Sequence, residues 1–360
     1  MVPPLFSLTL THVHGLLPRT FYSHRHITFT PRPSTSAAQH YRPVLLPSLP
    51  PTSSQFVHGY GATGAALVSS GVEKVVFVGS PAVGKLVMRS AAATLTPVVL
   101  ELGGKDPFVV CDDVTSDSEM GRIIQIACRG VFQNMGQNCA GPERFFVQEG
   151  VYDDFCRRIA VVVAQLRTGP PLGSGSVDCG ATTMGLSSME RLQGLVDDAV
   201  AHGARVLAGG DMHLLDAEEG TFYPPTVLCD VPEDARIAQE EIFGPIMCIF
   251  KVKGAGAQAD DNTVRMANNC DFGLSSCAFA QDGKRARAVA GRLKAGMSSV
   301  NDLEGTTYMS QSLPFGGVGE SGFDCFAGPE GLRGMTQTRS ICEDKVRGGE
   351  GGGRWGCRIR

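Results

Sequence analysis

Apolar residues change their spacing repeatedly from about residue 56 onwards, and the spacing predicts strands and helices in turn. Short apolar runs bounded by glycine predict buried strands; residues 75–78, between Gly71 and Gly79, are typical. Apolar residues three and four positions apart predict helices, most clearly over residues 118–134. The predicted strands are residues 56–58, 75–78, 98–100, 144–148, 205–208 and 226–229, and the predicted helices are residues 65–70, 118–134, 151–167 and 188–202. Strands that alternate with helices in this way predict an α/β fold.

The first part of the chain follows a different pattern. Residues 1–72 contain four arginines, six of the eight histidines and no aspartate or glutamate, and nine prolines precede residue 52. Proline interrupts helices and central strands, so we expect residues 1–52 to form a leader without a packed fold. The leader is interpreted as a transit peptide or as an incorrectly assigned start of the coding sequence. The expected location is therefore the cytoplasm or, with a true transit peptide, an organelle.

Composition narrows the class of protein. The chain has 360 residues, 42% of them hydrophobic and 19% charged, with a net charge of −4, which suits two ordinary domains and no nucleic-acid partner. The 12 cysteines all lie at or after Cys111 and form no CxxC pairs, so we expect reduced thiols and no metal site. No run reaches the length of about 20 apolar residues that a membrane-spanning helix needs.

A glycine pattern precedes the strand at residues 75–78. Gly59, Gly61 and Gly64 have the GxGxxG spacing of a turn that lets a dinucleotide phosphate approach the backbone. Gly79 and Ser80 then follow the strand and open a helix, whose N-terminal N–H groups can face a pyrophosphate. The alternative is a tight turn that only packs a helix on a strand.

Three further segments carry candidate chemistry. Cys139 lies between small and amide residues just after a predicted helix, which is how a nucleophile is placed. Glu101 ends an apolar strand and is followed by two glycines, so it is a candidate base. Glu241 and Phe243 lie in a third marked segment, which continues into Gly-Pro.

Together the three segments resemble the aldehyde dehydrogenase superfamily over about residues 56–346, and details around them resemble a branch found mainly in plants and fungi. The resemblance implies a partial Rossmann-type dinucleotide domain at residues 53–104, an α/β catalytic domain at 105–328 and an oligomerisation segment at 329–346. Residues 347–360, rich in glycine and arginine, are expected to be a disordered tail.

The resemblance also implies roles for the marked residues. Cys139 would be the nucleophile that attacks an aldehyde, and Glu101 the base that activates water for thioester hydrolysis. Glu241 would bind the nicotinamide ribose and Phe243 would border the nicotinamide ring. A further group is expected to lie against the dinucleotide: Phe77, Gly79 and Ser80. The cofactor is NAD by family default, with NADP as the alternative.

The resemblance extends to supporting segments. Lys105 is expected to have a structural role, and residues 313–317 are expected to return to the active site. Asn301 is placed where the family carries a strand-end asparagine, with turn capping as the alternative. Residues 335–342 could supply an oligomerisation strand.

Two family segments, Pro-Trp-Asn and Lys-Pro, are not found in this sequence. We therefore expect a family member truncated at its N-terminus, whose complete product oxidises an aldehyde to a carboxylate as a homo-oligomer. The first alternative is a noncatalytic subunit that associates with a complete homologue. The second is ester or thioester hydrolysis by Cys139 and Glu101 without a cofactor.

Overall fold

The described residues form two large mixed sheets with helices packed on them, and a third sheet of two strands. The computed structural model describes residues 7–11, 26–30, 54–172, 175–182, 185–214, 220–303, 312–341 and 358–359. The strands are Ser7–Thr11 (β1), His26–Thr30 (β2), Ser54–His58 (β3), Val75–Val78 (β4), Val98–Glu101 (β5), Asp106–Val110 (β6), Pro142–Gln148 (β7), Arg205–Ala208 (β8), Thr226–Cys229 (β9), Ile246–Val252 (β10), Cys277–Phe279 (β11), Ser299–Val300 (β12), Gly322–Phe323 (β13), Ser340–Ile341 (β14) and Arg358–Ile359 (β15).

The helices connect these strands. The α-helices are Gly61–Val68 (α1), Pro81–Ala92 (α2), Asp117–Phe132 (α3), Glu149–Val163 (α4), Leu186–Ala201 (α5), Arg236–Gln239 (α6), Gly256–Asn268 (α7), Gly283–Ala290 (α8) and Gly328–Gly334 (α9). Short 3-10 turns occupy Gln133–Gly136, Met212–Leu214 and Gly319–Ser321. The α/β class predicted from the alternation is confirmed.

The larger sheet has seven strands in the order β12-β11-β6-β7-β10-β9-β8. All neighbours are parallel except β8 and β9, which are antiparallel. Every residue of β6 and β7 is buried, as expected for central parallel strands with helices on both faces.

Alternate residues of these strands enter different cores. Phe145 packs with residues of α3 and α4 on one face, and Phe146 packs with residues of α5 and α7 on the other. Phe145 stacks on Phe108 at 4.7 Å between ring centroids, and Phe108 stacks on Phe279 at 4.5 Å. The sheet is therefore a rigid platform between two apolar layers.

The smaller sheet has six strands in the order β13-β5-β4-β1-β2-β3. Its parallel pairs are β4–β5 and β2–β3, and its other pairs are antiparallel. Helices α1 and α2 cover one region of it with a small core that contains Phe77 and Leu100. Strand β13 brings residues 322–323 into this sheet, and the expected division into a dinucleotide unit and a catalytic unit stays a prediction.

The leader expectation is corrected at two places. Strands β1 and β2 lie within residues 1–52, and β1 pairs with β4. Both strands have polar and apolar residues in alternation, with threonine at several positions, and the nearby prolines fall outside them. A proline prevents strand pairing only at its own position, so the number of prolines in the leader did not predict the absence of strands. The other residues of the leader lie outside the described residues.

The predicted glycine turn at residues 59–64 is also corrected, because α1 already begins at Gly61. The Tyr60 carbonyl accepts hydrogen bonds from the Thr63 and Gly64 amides at 2.9 and 3.1 Å, and these close the first helical turn. A Cβ on Gly59 would lie 2.2 Å from Thr63 Oγ1, so Gly59 is needed for packing. Gly61 and Gly64 are therefore helical residues, whereas both interpretations of the sequence expected a turn there.

Other boundaries shift by a few residues. The helix predicted over 151–167 ends at Val163, because Thr168 leaves to form a bridge with Cys179. The helix predicted over 118–134 gives way to the 3-10 turn at Gln133. Within the tail expected to be disordered, residues 358–359 pair with β14, and the rest of residues 347–360 lies outside the described residues. Strands β6, β10 and β11 and helices α7 and α8 were not predicted.

The part of the chain that the structure describes contains ten cysteines, all with free thiols. None of its helices combines the length and the apolar content that crossing a bilayer requires.

The stacked aromatic layer under the larger sheet yields a stability prediction. Phe145→Ala removes a fully buried ring, so the free energy of unfolding should fall by about 3–5 kcal/mol. Urea denaturation measures the change. Val161→Ala, at a position that is 57% exposed, is the control and should stay within about 0.5 kcal/mol of the parent. Equal effects of the two substitutions would contradict this packing.

Candidate active site

Cys139 lies in a tight loop between α3 and β7. Backbone φ angles of 53° at Asn134 and 59° at Met135 turn the chain sharply after the helix. The Gly141 amide then donates to the Asn138 carbonyl at 3.1 Å and closes a turn around Cys139. The thiol is partly exposed, and the loop is anchored by a buried helix on one side and a buried strand on the other. This is the placement expected of a nucleophile.

Glu101 ends β5 in the smaller sheet and is 2% exposed. Burial raises the pKa of its carboxyl, and hydrogen bonds from the Cys139 thiol and the Gly103 amide partly offset that rise. Its Oε1 atom has no hydrogen-bond partner among the described residues. The structure therefore brings the predicted nucleophile and base into contact and leaves one carboxylate oxygen with unused accepting capacity.

Glycines allow the third segment to close on the first two. A Cβ on Gly103, whose φ is +81°, would lie 2.3 Å from Glu241 Oε1. A Cβ on Gly104 would lie 2.8 Å from the Cys139 carbonyl oxygen, and one on Gly136 would lie 2.1 Å from the Gly244 carbonyl oxygen. No side chain fits at any of these three places. The three segments that the sequence marked therefore meet at one point between the sheets.

Glu241 brings a second carboxyl group to this point. Burial raises its pKa, the negative charges of Glu143 and Glu101 raise it further, and the Gly104 amide and Lys105 oppose the rise. Phe243, two residues on, has a φ of +51°, which is uncommon for a bulky residue. The segment is thus held in a defined and costly conformation beside the nucleophile loop.

A buried ion pair lies beneath the site. Lys105 Nζ is 2.7 Å from Glu143 Oε2, and the side chain of Lys105 is fully buried. The same carboxylate accepts hydrogen bonds from the Ile242 and Phe243 amides at 2.8–2.9 Å. Lys105 thus has the structural role expected of it. Glu143 was missed, although a charged pair opening the otherwise apolar strand β7 was a visible signal.

Two more buried charges support the same region. Arg144 donates to the carbonyl oxygens of Lys105 at 2.8 Å and Ala267 at 2.9 Å. Asp106 is 1% exposed, and burial raises its pKa to about 8, while Ser275 and Arg144 oppose the rise. Asp106 is therefore a neutral acid near neutral pH, held behind the backbone of the nucleophile loop.

An apolar cluster borders Cys139 on another side. It consists of Ala140, Leu274, Met297 and Phe315, with Cys139 and Phe326 packed against it. Phe315 exchanges backbone hydrogen bonds with Phe326 at 2.7 and 2.9 Å. The segment at residues 313–317 therefore does return to the site.

Asn301 makes hydrogen bonds that stabilise the fold. Its Oδ1 atom accepts a hydrogen bond from the Ala280 amide at 2.9 Å, and its carbonyl oxygen accepts from Arg122. Its φ is +53°, which asparagine tolerates better than most residues. The turn-capping alternative is the one that these contacts favour.

The residues expected to lie against a dinucleotide divide into two groups. Ser80 is the N-cap of α2 without a side-chain capping bond, and the Gly79 amide donates to the Glu101 carbonyl at 3.0 Å. Both lie at the start of α2, beside the end of β5 that carries Glu101. The side chain of Phe77 is 2% exposed and lies in the core of the smaller sheet, and its expected place beside the dinucleotide stays a prediction. A Cβ built on Gly61 meets no atom within 4 Å, which gives no sign of a close partner there.

The described residues contain no group of three or more histidine, cysteine, aspartate or glutamate side chains that could hold a metal ion.

Comparison with known proteins gives one family. Residues 31–341 match the model of the aldehyde dehydrogenase family. An aldehyde dehydrogenase-like protein of Schizosaccharomyces pombe is 38% identical over 277 residues, which cover 77% of this chain and 51% of that protein. The chain spans about half the length of the curated relatives it matches.

Solved structures that are similar to this chain are also aldehyde dehydrogenases. Lactaldehyde dehydrogenase from Escherichia coli has a TM-score of 0.77 and 29% identity, with 87% of this chain and 63% of that chain covered. Betaine aldehyde dehydrogenase from Staphylococcus aureus, solved in complex with NAD+, has a TM-score of 0.72 and 28% identity, with 80% and 55% covered.

The buried Asp106 carboxyl predicts how stability depends on pH. The folded chain keeps this proton up to about pH 8, whereas the unfolded chain releases it near the ordinary value of 3.8. The stabilisation from this group is therefore fully present below the unfolded pKa of 3.8 and declines as pH rises to the folded pKa of about 8. The decline is up to about 1.4 kcal/mol per pH unit. Asp106→Asn should flatten the decline in the free energy of unfolding between pH 5 and pH 8.

Urea denaturation at several pH values tests this expectation. Asp261→Asn is the control, because the side chain of Asp261 is 70% exposed and its substitution should leave the slope unchanged. Parallel slopes for the parent and Asp106→Asn would show that this carboxyl is ionised in the folded chain.

Proposed function

The chain belongs to the aldehyde dehydrogenase family, and from that premise we propose that it carries the reacting residues of an enzyme that oxidises an aldehyde to a carboxylate. The observation that supports this most directly is the position of the Cys139 thiol beside the Glu101 carboxylate, where it lowers the pKa of that carboxyl. This contact joins a nucleophile from one sheet to a base from the other, at a point that Glu241 also reaches.

The first step follows from that contact. Glu101 accepts the thiol proton, and Cys139 Sγ attacks the carbonyl carbon of the aldehyde. A carbon–sulfur bond forms, and the electron pair of the carbonyl π bond moves to oxygen, which gives a thiohemiacetal. The apolar cluster of Ala140, Leu274, Met297 and Phe315 forms a wall for the hydrocarbon part of the substrate.

The residues present suit a nicotinamide dinucleotide. The proposed holding groups are Glu241 for the ribose, Phe243 beside the ring, and Gly79 and Ser80 at the start of α2, a helix long enough to offer an N-terminal anion site. When bound, the cofactor would accept the hydride that the aldehyde carbon loses as the thioester forms. We propose NAD, with NADP assayed in parallel, because a related solved enzyme binds NAD+.

Hydrolysis of the thioester returns the enzyme to its starting state. Glu101 first releases the thiol proton to solvent, and it then accepts a proton from a water molecule that attacks the thioester carbon. The carbon–sulfur bond breaks with its electron pair on Cys139 Sγ, Glu101 returns its proton to that sulfur, and the product loses a proton to solvent and leaves as the carboxylate. A base works best when its pKa is near the working pH, so the raised pKa of Glu101 suits this step. Its unpartnered Oε1 atom can accept a hydrogen bond from that water.

Replacing the nucleophile tests the first step. Cys139→Ser should abolish the aldehyde-dependent reduction of NAD, because an alcohol is a far weaker nucleophile than a thiolate at neutral pH. The rate of NADH formation is the measurement. Cys128→Ser is the matched control, since Cys128 is also a partly buried cysteine of this region and should leave the rate unchanged. Parental turnover by Cys139→Ser would exclude this mechanism.

Replacing the base tests the hydrolytic step. Glu101→Gln keeps the size of the side chain but cannot take a proton, so turnover should fall by about 10²- to 10⁴-fold. Mass spectrometry after aldehyde and NAD are added should show the chain acylated at Cys139, because a thiol can lose its proton to solvent at neutral pH, whereas the attacking water needs the base. Slow turnover without any acylated chain would place Glu101 at the first step alone.

A further inference from the structure

Glu143 touches each of the three segments that form the site. It lies four residues after Cys139, at the start of β7, and is 6% exposed. Its carboxylate accepts a hydrogen bond from Lys105 Nζ at 2.7 Å, on the segment that follows Glu101. It also accepts from the backbone amides of Ile242 and Phe243 at 2.8–2.9 Å. One buried side chain thus connects the nucleophile loop, the base segment and the Glu241 segment.

Glu143 holds the segment that contains Phe243, and the backbone of this segment is strained. Phe243 has a φ of +51°, in the left-handed region that disfavours large side chains. Such a residue persists only where its surroundings enforce the geometry. The amides of Ile242 and Phe243 both donate hydrogen bonds to the Glu143 carboxylate. The carboxylate therefore supplies the contact that compensates for the strained backbone.

A second side chain holds the opposite side of the same peptides. Arg191 of α5 donates to the Glu241 carbonyl oxygen at 3.0 Å and also to the Ile242 carbonyl oxygen. The N–H groups of this segment are thus bound by an anion and its carbonyl groups by a cation. Both bonds are charge-assisted and so stronger than bonds between neutral groups.

The charge of Glu143 has its own support. A buried carboxylate is costly unless a cation pairs with it, and Lys105 supplies that cation from a fully buried position. Lys105 thus places a cation beside the Glu143 carboxylate, which accepts several hydrogen bonds at once. The pair works as a unit, and loss of either member leaves an unpaired buried charge.

We propose that Glu143 is a positioning residue for the cofactor side of the site. Through the Ile242 and Phe243 amides it fixes where the Glu241 carboxylate and the Phe243 ring lie relative to Cys139. This inference rests on the proposed function only in its consequence for dinucleotide binding. The hold on the backbone itself is independent of any cofactor.

The decisive variant is the double substitution Lys105→Met with Glu143→Leu. It replaces a buried ion pair by apolar groups of similar size, an exchange that is often neutral for stability, so the chain should still unfold cooperatively. Hydrogen exchange at the Ile242 and Phe243 amides, measured without cofactor, should become at least about tenfold faster because their acceptor is gone. The rate at which iodoacetamide alkylates Cys139 should change little, since the nucleophile loop keeps its own turn.

The second measurement uses NAD itself. In the same double variant its dissociation constant should rise by about 10- to 100-fold. Lys105→Met with Glu143→Gln restores one carbonyl acceptor and should recover part of both the amide protection and the affinity. Glu330→Gln, at an exposed ion pair with Arg333, is the control and should change neither quantity.

Each outcome decides between explanations. Unchanged exchange at residues 242 and 243 would overturn the inference, whatever happens to cofactor binding. Faster exchange with parental NAD affinity would limit Glu143 to the fold and overturn its role in positioning. If the parent chain binds no NAD, the proposed cofactor role fails, and amide exchange still decides whether Glu143 holds the segment.

Discussion

The site depends on how closely three backbone segments approach one another, and glycine sets that distance. At Gly103, Gly104 and Gly136 the smallest possible side chain would already collide with Glu241, Cys139 and Gly244, respectively. A single methyl group would press on the Glu241 carboxylate at Gly103, on the Cys139 backbone at Gly104 and on the Gly244 backbone at Gly136. The motifs around the reacting residues are therefore steric requirements as much as chemical ones.

The two sheets divide the chemistry between them. Cys139 precedes a central strand of the seven-stranded sheet, and Glu241 lies shortly before another, whereas Glu101 ends a strand of the six-stranded sheet. Strand β13 then pairs with β5, and Gly322 lies so close to the Leu100 carbonyl that a Cβ there would be 2.0 Å away. The strand that carries Glu101 is thus tied to a segment from late in the chain.

Burial gives these groups their chemical character. Within a short distance the chain buries the carboxyls of Glu101, Asp106, Glu143 and Glu241 with the cations of Lys105 and Arg144. The carboxyls outnumber the cations, and burial raises the pKa of Glu101, Asp106 and Glu241. Protonation of some of the acids brings the charge of this region towards balance, because a low-dielectric interior penalises an uncompensated charge.

The sequence by itself determined the α/β class and several strands to within a residue or two. It also singled out Cys139, Glu101 and Glu241 as candidate site residues. It could do so because apolar periodicity and short glycine-containing motifs are local signals. It misjudged the residues 59–64, where a hydrogen bond to the Tyr60 carbonyl made a helix of an expected turn, and it missed strands in the proline-rich leader.

Only the tertiary structure decided which side chains meet. Phe77 matches a family motif, yet its side chain lies in the core. Glu143 was assigned no role from the sequence, yet it accepts hydrogen bonds from amides about 100 residues away. The physical reason is that a hydrogen bond to a backbone amide leaves no trace in the identity of the residue that donates it. Long-range partners and the pKa of a buried acid depend on surroundings that the chain assembles only when it folds.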